Sequence, residues 1–348
     1  MHNTIFGTDG IRCAMNSSYL TEENLSRLGR AIALWAPQHS HFVFGSDTRA
    51  SCEKIKAILS RELFLHGHHI SDAEIVPTPM LCMMVEQNPE YNFGIMITAS
   101  HNPAQDNGIK LITPTKKLSV ADELHISHLF HAAPANTTLS AEGEKYPLID
   151  FLSVLHSYSS KIKKQLVHRK FNMFKVVLDC AHGATSLFAR EIFKEFGFEV
   201  ITINNQPNGS NINQDSGALH PEQLIERVFL EQADFGCAFD GDGDRLVIVT
   251  GSGTILDGDQ LLAIFAQHPH YQQEMVYAGT IMSNQAVESY FISRGKKFTR
   301  TDVGDKNIVA ELAAQNALLG TEPSGHIILR DHSFCSDGIY AALLFFDT

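Results

Sequence analysis

The 348-residue chain has no CxxC pair and only six cysteines, at positions 13, 52, 82, 180, 237 and 335. Spread so widely, they exclude a zinc ribbon and read as small buried apolar groups of a reducing compartment, with no disulfide frame expected. No run approaches 18 uninterrupted apolar residues, and the opening MHNTIFGTDGIR holds no apolar signal core. Neither a membrane span nor a secretory leader is expected, and the chain reads as cytoplasmic. Basic residues are scarce: 27 Lys and Arg against 39 Asp and Glu leave −12 with His neutral. A field of that sign opposes nucleic acid and anionic lipid, so neither is an expected partner, and any phosphate ligand needs a local basic pocket. What remains is globular, with 44% hydrophobic and 19% charged residues, which excludes disordered, collagen-like and coiled-coil chains.

Short β-branched or aromatic runs alternate with longer helical stretches. HFVFGS (41–46), FGIMIT (93–98), FKVVLDC (174–180), FEVITI (198–203), FGCAF (235–239) and LVIVT (246–250) read as strands, with another near 70–76. Helical patterns fall near 50–66, 79–87, 119–132, 184–196, 220–232, 257–267, 283–294 and 303–316. Such alternation predicts βαβ units, and hence three consecutive α/β domains with mixed, largely parallel sheets around a shared cleft. We place them at 1–150, 151–250 and 251–348, the polar stretch 133–149 marking the first boundary. The last segment, GIYAALLFFDT (338–348), is an apolar helix-like run without a C-cap, so the chain reads as cut or as ending where a further domain begins.

The sharpest chemical signal is DGDGDR at 240–245, directly after the strand FGCAF. Two carboxylates about 5 Å apart repel by roughly 3 kcal/mol at an effective dielectric near 20. Asp240, Asp242 and Asp244 crowded at one strand end therefore require a divalent cation, and an all-oxygen ligand set points to Mg²⁺. An EF-hand fails, because its sixth position would be Arg245 and its twelfth Gly251. TASHNP (98–103) puts Ser100 and His101 at the tip of another strand, where α/β folds hold ligands. Beside a Mg²⁺ site, Ser100 becomes a candidate phosphoryl carrier. TEPSGH (321–326) groups Glu322, Ser324 and His326 in a pattern suited to a sugar's vicinal hydroxyls. Arg12, Lys110, Arg245 and Lys306 are the cations available to an otherwise acidic protein around a phosphate. His125, His128 and His131 share one helix face with no carboxylate in register and read as solvated.

Taken in order with FGTDGIR (6–12), DNGIK (106–110), DCAHGAT (179–185), NGSNINQDSGALHPEQL (208–224), GTIMSN (279–284) and TDVGDKNI (301–308), these segments resemble the α-D-phosphohexomutase superfamily along essentially the whole chain. GTDGIR, DNGIK and the NIN segment favour its glucosamine branch over the mannose and glucose branches. The resemblance implies that Ser100 carries the phosphoryl group and that Asp240, Asp242, Asp244 and this phosphoserine bind one Mg²⁺. Arg245 would sit beside the phosphate, Arg12, His101 and Lys110 would position it or move protons, and Glu322, Ser324, His326 and Lys306 would hold the substrate. The implied reaction interconverts glucosamine 6-phosphate and glucosamine 1-phosphate through a sugar 1,6-bisphosphate, which also serves as activator, in amino-sugar nucleotide synthesis. The alternatives are turnover of mannose or glucose phosphates, or a non-catalytic relative that only binds sugar phosphate. Two departures stand out. Lys306-Asn307 replaces a common Arg-Tyr, and no RKSGTEP-like phosphate loop occurs before Thr348, so a fourth domain is expected to be absent.

Overall fold

A computed structural model describes residues 4–115, 118–134, 146–166, 171 and 173–348. Most of the expected first boundary, residues 135–145, lies outside the described residues. The strands form three separate sheets. The first holds β1 (Ile11–Ala14), β2 (His41–Ser46), β3 (His69–Ile75), β4 (Phe93–Ile97) and β5 (Asp106–Ile112), in the order β1-β5-β4-β2-β3. The second holds β6 (Lys175–Asp179), β7 (Glu199–Ile203), β8 (Phe235–Phe239), β9 (Leu246–Thr250) and β10 (Ile255–Leu256), in the order β10-β9-β8-β6-β7. The third holds β11 (Val276–Thr280), β12 (Lys297–Thr301), β13 (Leu319–Thr321) and β14 (Ile327–Leu329), in the order β12-β11-β13-β14.

Each sheet is mixed in the same way. A parallel core, β3-β2-β4, β7-β6-β8 or β12-β11-β13, is followed by an antiparallel return strand, β5, β9 or β14. The three motif segments occupy the equivalent connection in each unit: Ser100 lies between β4 and β5, Asp240–Arg245 between β8 and β9, and Glu322–His326 between β13 and β14. These are the carboxyl ends of parallel strands, where an α/β sheet leaves a crevice for ligand.

Helices cover the sheets: α1 (Glu22–Trp35), α2 (Cys52–Leu65), α3 (Thr78–Gln87) and α4 (Val120–Ala132) with the first, α5 (Phe151–Gln165) as a connecting helix, and α6 (Ala189–Glu195) and α7 (Glu222–Glu231) with the second. The third unit adds α8 (Gly258–Phe265), α9 (Gln285–Ile292) and α10 (Asp305–Ala314), and the described chain closes with α11 (Gly338–Asp347). Caps follow from sequence: Thr21 accepts from Asn24 N at the start of α1, and Ser119 and Asp122 form a reciprocal box at α4. The units are not independent. One apolar cluster runs from Met80 and Met84 of α3 through Tyr158 and Ile162 of α5 to Leu343 and Leu344 of α11, so the apolar run at 338–348 is core. No described helix is long and apolar enough to cross a membrane.

One expectation is corrected. Cys82, on α3, and Cys335, just before α11, form a disulfide across 253 residues of sequence, with Cα atoms 6.7 Å apart. Spacing along the chain could not show this pair, because only the packing of α3 against the segment entering α11 brings the two together. Cys13, Cys52, Cys180 and Cys237 are unpaired.

Candidate active site

The loop after β4 turns sharply at Ser100, which adopts the left-handed backbone conformation at φ +52° and is fully buried. A non-glycine residue rarely holds that conformation without support. Here the Ser100 N–H donates to Thr98 Oγ1 at 2.8 Å, and the turn aims Oγ across to the second unit. Ser100 Oγ donates to Asp240 Oδ2 at 2.6 Å and lies 3.2 Å from His101 Nδ1.

The loop after β8 alternates acidic side chains with glycine, so that Asp240, Asp242 and Asp244 converge. One ligand atom from each lies within 4.8 Å of the others, and all three are buried. Gly241 permits this, since a Cβ there would meet the Ser100 carbonyl oxygen at 2.5 Å. Burial and the neighbouring Asp244 and Asp242 push the Asp240 carboxyl up to about 7. Burial acts the same way on Asp244, but Lys110, His326 and Arg245 outweigh it and hold that carboxyl well below the usual range. Asp242 Oδ1 has no hydrogen-bond partner although it is buried. Three converging carboxylates with an orphaned oxygen are a donor set that fits a hard divalent cation, so the triad could hold a metal.

Three of the cations expected around a phosphate, Lys110, Arg12 and Arg245, lie here, each beside a carboxylate. Lys110 Nζ donates to Asp242 Oδ2 and Asp244 Oδ2, each at 2.8 Å, and forms an ion pair with Asp9 Oδ2 at 2.9 Å. Burial alone would lower its pKa, yet those three carboxylates hold it well above the ordinary lysine value. Arg12 pairs with Asp9, and Arg245 Nε lies 3.7 Å from Asp240 Oδ2. Burial, with Arg245 and Arg12 adding to it, drives His101 down to about 4, so its imidazole is neutral at pH 7.

The sugar-type loop is laced directly to the acidic loop. Arg245 and His326 form an antiparallel bridge, and Leu246 N donates to Gly325 O at 3.0 Å. His326 spans the two segments, with Nδ1 2.6 Å from Glu322 Oε2 and Nε2 3.1 Å from Asp244 Oδ1. Burial and Arg245 disfavour a charged ring, but Asp244 and Glu322 raise it to about 9. Glu322 Oε1 also accepts from Gly304 N at 2.9 Å. Ser324 is half-buried in the same loop. Lys306, at the start of α10, bonds back to the first unit, to Gly7 O at 3.3 Å and to Glu123 Oε1 at 3.5 Å. Ser100, His101, Lys110, Arg245, the triad, Glu322 and His326 are thus contiguous through direct contacts, Arg12 joins them through Asp9, and Lys306 bonds to Gly7 and Glu123.

Four residues of this constellation escaped the sequence reading. Asp9 links Lys110 and Arg12. Thr78, at the start of α3, donates through Oγ1 to Asp242 Oδ2 at 2.5 Å. Arg49 and Asn213 bond to the backbone of the serine loop. Only DTR at 47–49, polar residues directly after a buried strand, could have drawn attention to Arg49.

The chain matches the family models described as phosphoglucomutase/phosphomannomutase alpha/beta/alpha domain I over residues 3–136, domain II over 156–253 and domain III over 257–348. It is 35% identical over 345 residues to a phosphoglucosamine mutase of Caldicellulosiruptor saccharolyticus, covering 97% of this chain and 77% of the relative. It is 36% identical over 353 residues to a phosphoglucosamine mutase of Chelativorans, covering 99% and 77%. The same fold occurs in a phosphoglucomutase/phosphomannomutase family protein from Burkholderia thailandensis, at a TM-score of 0.83, 24% identity, and coverage of 98% of this chain and 76% of that one. It also occurs in Aspergillus fumigatus N-acetylphosphoglucosamine mutase solved with GlcNAc-6P and magnesium, at a TM-score of 0.61, 16% identity, and coverage of 98% and 76%.

Proposed function

The chain belongs to the phosphoglucomutase/phosphomannomutase family, enzymes of the phosphohexomutase class, and from that premise we propose that it interconverts glucosamine 6-phosphate and glucosamine 1-phosphate with Ser100 as the phosphoryl carrier. The observation that carries this reading is the 2.6 Å contact between Ser100 Oγ and Asp240 Oδ2, a hydroxyl seated against a buried carboxylate triad. Its support for the glucosamine substrate is the identity of 35% and 36% to phosphoglucosamine mutases over nearly the whole chain. The division of labour we propose assigns the serine loop to 1–150, the acidic loop to 151–250 and the sugar loop to 251–348.

In the working enzyme Ser100 is phosphorylated. A sugar hydroxyl attacks the phosphorus, the bond from phosphorus to Ser100 Oγ breaks, and the new bond to the sugar oxygen gives a 1,6-bisphosphate while the hydroxyl proton passes to a base. On return, Ser100 Oγ attacks the sugar's other phosphate, that sugar oxygen leaves with a proton, and phosphoserine is restored. A sugar 1,6-bisphosphate supplied from solution charges Ser100 by the same step. His101 is the better acceptor for the departing proton, because its ring is neutral at pH 7 with Nδ1 3.2 Å from Ser100 Oγ, while three carboxylates keep Lys110 protonated. Lys110 restrains the acidic loop, Arg12 pairs with Asp9 next to Lys110, and Arg245 lies beside Asp240, where charge on the phosphoryl oxygens needs neutralising. Glu322, Ser324 and His326 hold the sugar hydroxyls, and Lys306 lines a cavity that it shares with Lys110 and Asp244. Asp240, Asp242, Asp244 and phosphoserine would hold Mg²⁺, which supplies Lewis-acid stabilisation of the phosphoryl oxygens when bound.

The test is a coupled assay of the purified chain on the 6-phosphates of glucosamine, mannose and glucose, with Mg²⁺ and glucose 1,6-bisphosphate. Preferred turnover of glucosamine 6-phosphate is expected. Comparable turnover of mannose or glucose 6-phosphate would overturn the substrate assignment, and binding without turnover would overturn the mutase reading.

A further inference from the structure

Ser100 has an unfavourable backbone conformation, and what enforces it is a residue that touches neither the triad nor the sugar loop. Arg49 follows β2, and its side chain is completely buried. A guanidinium offers five N–H donors in a rigid planar fork. Nε donates to Asp47 Oδ2 at 2.9 Å. Nη1 donates to Asp106 O at 2.8 Å and to Pro103 O, and Nη2 donates to Ser100 O at 3.0 Å and Asn102 O at 2.7 Å. Four of the five bonds therefore end on backbone carbonyls of the single loop 100–106. The fifth closes a ring, because Asp47 Oδ2 also accepts from Thr98 Oγ1 at 2.6 Å, and that hydroxyl accepts from Ser100 N. Both ends of the Ser100 residue, its N–H and its carbonyl, are thus tied to one guanidinium–carboxylate pair.

The second unit closes the clamp from the other side. Asn213, itself left-handed at φ +58°, donates through Nδ2 to Ser100 O at 2.8 Å and Asn102 O at 3.0 Å. A loop that merely needed its polar groups satisfied would not need one buried cation and an amide from a loop of another unit to converge on the same two carbonyls. Turned to the ordinary right-handed conformation, Ser100 would carry its side chain away from Asp240 and break these bonds.

We propose that Arg49 and Asn213 are positioning residues that hold Ser100 left-handed, so that Oγ is presented to the acidic loop in line for phosphoryl transfer. The clamp acts on the rate of transfer rather than on sugar binding, since neither residue reaches the sugar loop. The proposal rests on Ser100 being the phosphoryl carrier.

The test measures single-turnover phosphorylation of Ser100 from glucose 1,6-bisphosphate by intact-protein mass, on the full chain with Mg²⁺. Arg49→Lys keeps the charge and loses the fork. Asn213→Gly keeps the left-handed backbone and loses the amide, so it guards against a buried arginine variant that fails to fold. Both should slow transfer by about ten- to hundredfold, the usual consequence of misplacing a reacting group. Half-saturation by bisphosphate should stay within about twofold, because geometry and not uniform binding is lost. Guanidinium in solution should restore transfer to Arg49→Ala and leave Arg49→Lys unchanged. Folded variants that transfer at the wild-type rate, or that lose affinity alone, would overturn the clamp while leaving Ser100 as carrier. A wild-type chain that takes no phosphate on Ser100 would overturn both.

Discussion

The phosphate side and the sugar side of the cleft are built to different degrees. Ser100, Asp240, Asp242 and Asp244 are at most 3% exposed and held by partners from all three units, and in the sugar-type loop Glu322 and His326 are 4% exposed while Ser324 between them is only half-buried. Outside that loop the third unit is open, with Ile281, Met282 and Val303 at 60%, 68% and 48% exposed. The chemistry of phosphoryl transfer tolerates little misplacement, so its groups are fixed before substrate arrives. A sugar that must bind in two orientations needs an open, less committed surface. The contrast therefore separates residues that set rate from residues that set affinity.

The largest expected effect comes from the buried side. Ser100→Ala should remove the single phosphate seen by intact mass and lower turnover by about a thousandfold or more, since the covalent carrier is lost. A phosphate that persists in this variant would contradict the assignment. Asp242→Asn should come next, at about a hundredfold or more, exceeding the ten- to hundredfold typical of a group lying only behind a metal ligand. Chelation should silence the wild-type chain, Mg²⁺ should restore it, and an Asp242→Asn variant unaltered in metal titration would show that the triad is not the metal site.

In the sugar-type loop the effect should be smaller and of another kind. Glu322→Gln removes one charge-assisted partner, worth about 1.5–3 kcal/mol. It should therefore raise KM for glucosamine 6-phosphate at least about tenfold while phosphoserine occupancy stays at the wild-type level. Equal loss of occupancy would erase the distinction between the two sides.

The smallest effect lies away from the cleft, where α11 is anchored. Tyr158 Oη donates to Asp337 Oδ1 at 2.6 Å, His332 Nε2 lies 2.9 Å from Asp337 Oδ2, and Tyr340 N donates to Oδ1 at 3.0 Å. Burial pushes the Asp337 carboxyl up, but His332, Tyr158 and the Tyr340 amide together hold it below its usual value. A depressed folded pKa stabilises the fold fully above the ordinary aspartate value of about 4, and this stability is lost as pH falls through the lower folded value. Asp337→Asn should cost about 1–3 kcal/mol at pH 7, and the gap in Tm from wild type should narrow as pH drops from about 5 to 3. A gap that widens would reverse the sign of this account.

Much of the fold was legible because strands buried on both faces read as continuous apolar runs. FGCAF at 235–239 coincides with β8, and LVIVT at 246–250 with β9. The helix α1 was missed although its face is amphipathic, as were α5 and the third-unit strands β11 and β12, where YAGT and KFTRT carry too little apolar alternation to stand out. In the site, residues that cluster within a few positions, such as Asp240, Asp242 and Asp244, announced themselves. Asp9, Thr78, Arg49 and Asn213 did not, because each acts through a partner more than 50 positions away, on another segment, as Thr78 does on Asp242. The Cys82–Cys335 pair was hidden for the same reason.

The central claim is that the serine and the acidic loop share one ion. Mn²⁺ diffused into crystals of the phosphorylated chain, with anomalous diffraction recorded at the manganese edge, tests it most directly. One peak is expected, contacting a carboxylate oxygen from each of Asp240, Asp242 and Asp244 together with a Ser100 phosphate oxygen. No peak at the triad, or a peak there with the Ser100 phosphate turned away from it, would contradict it.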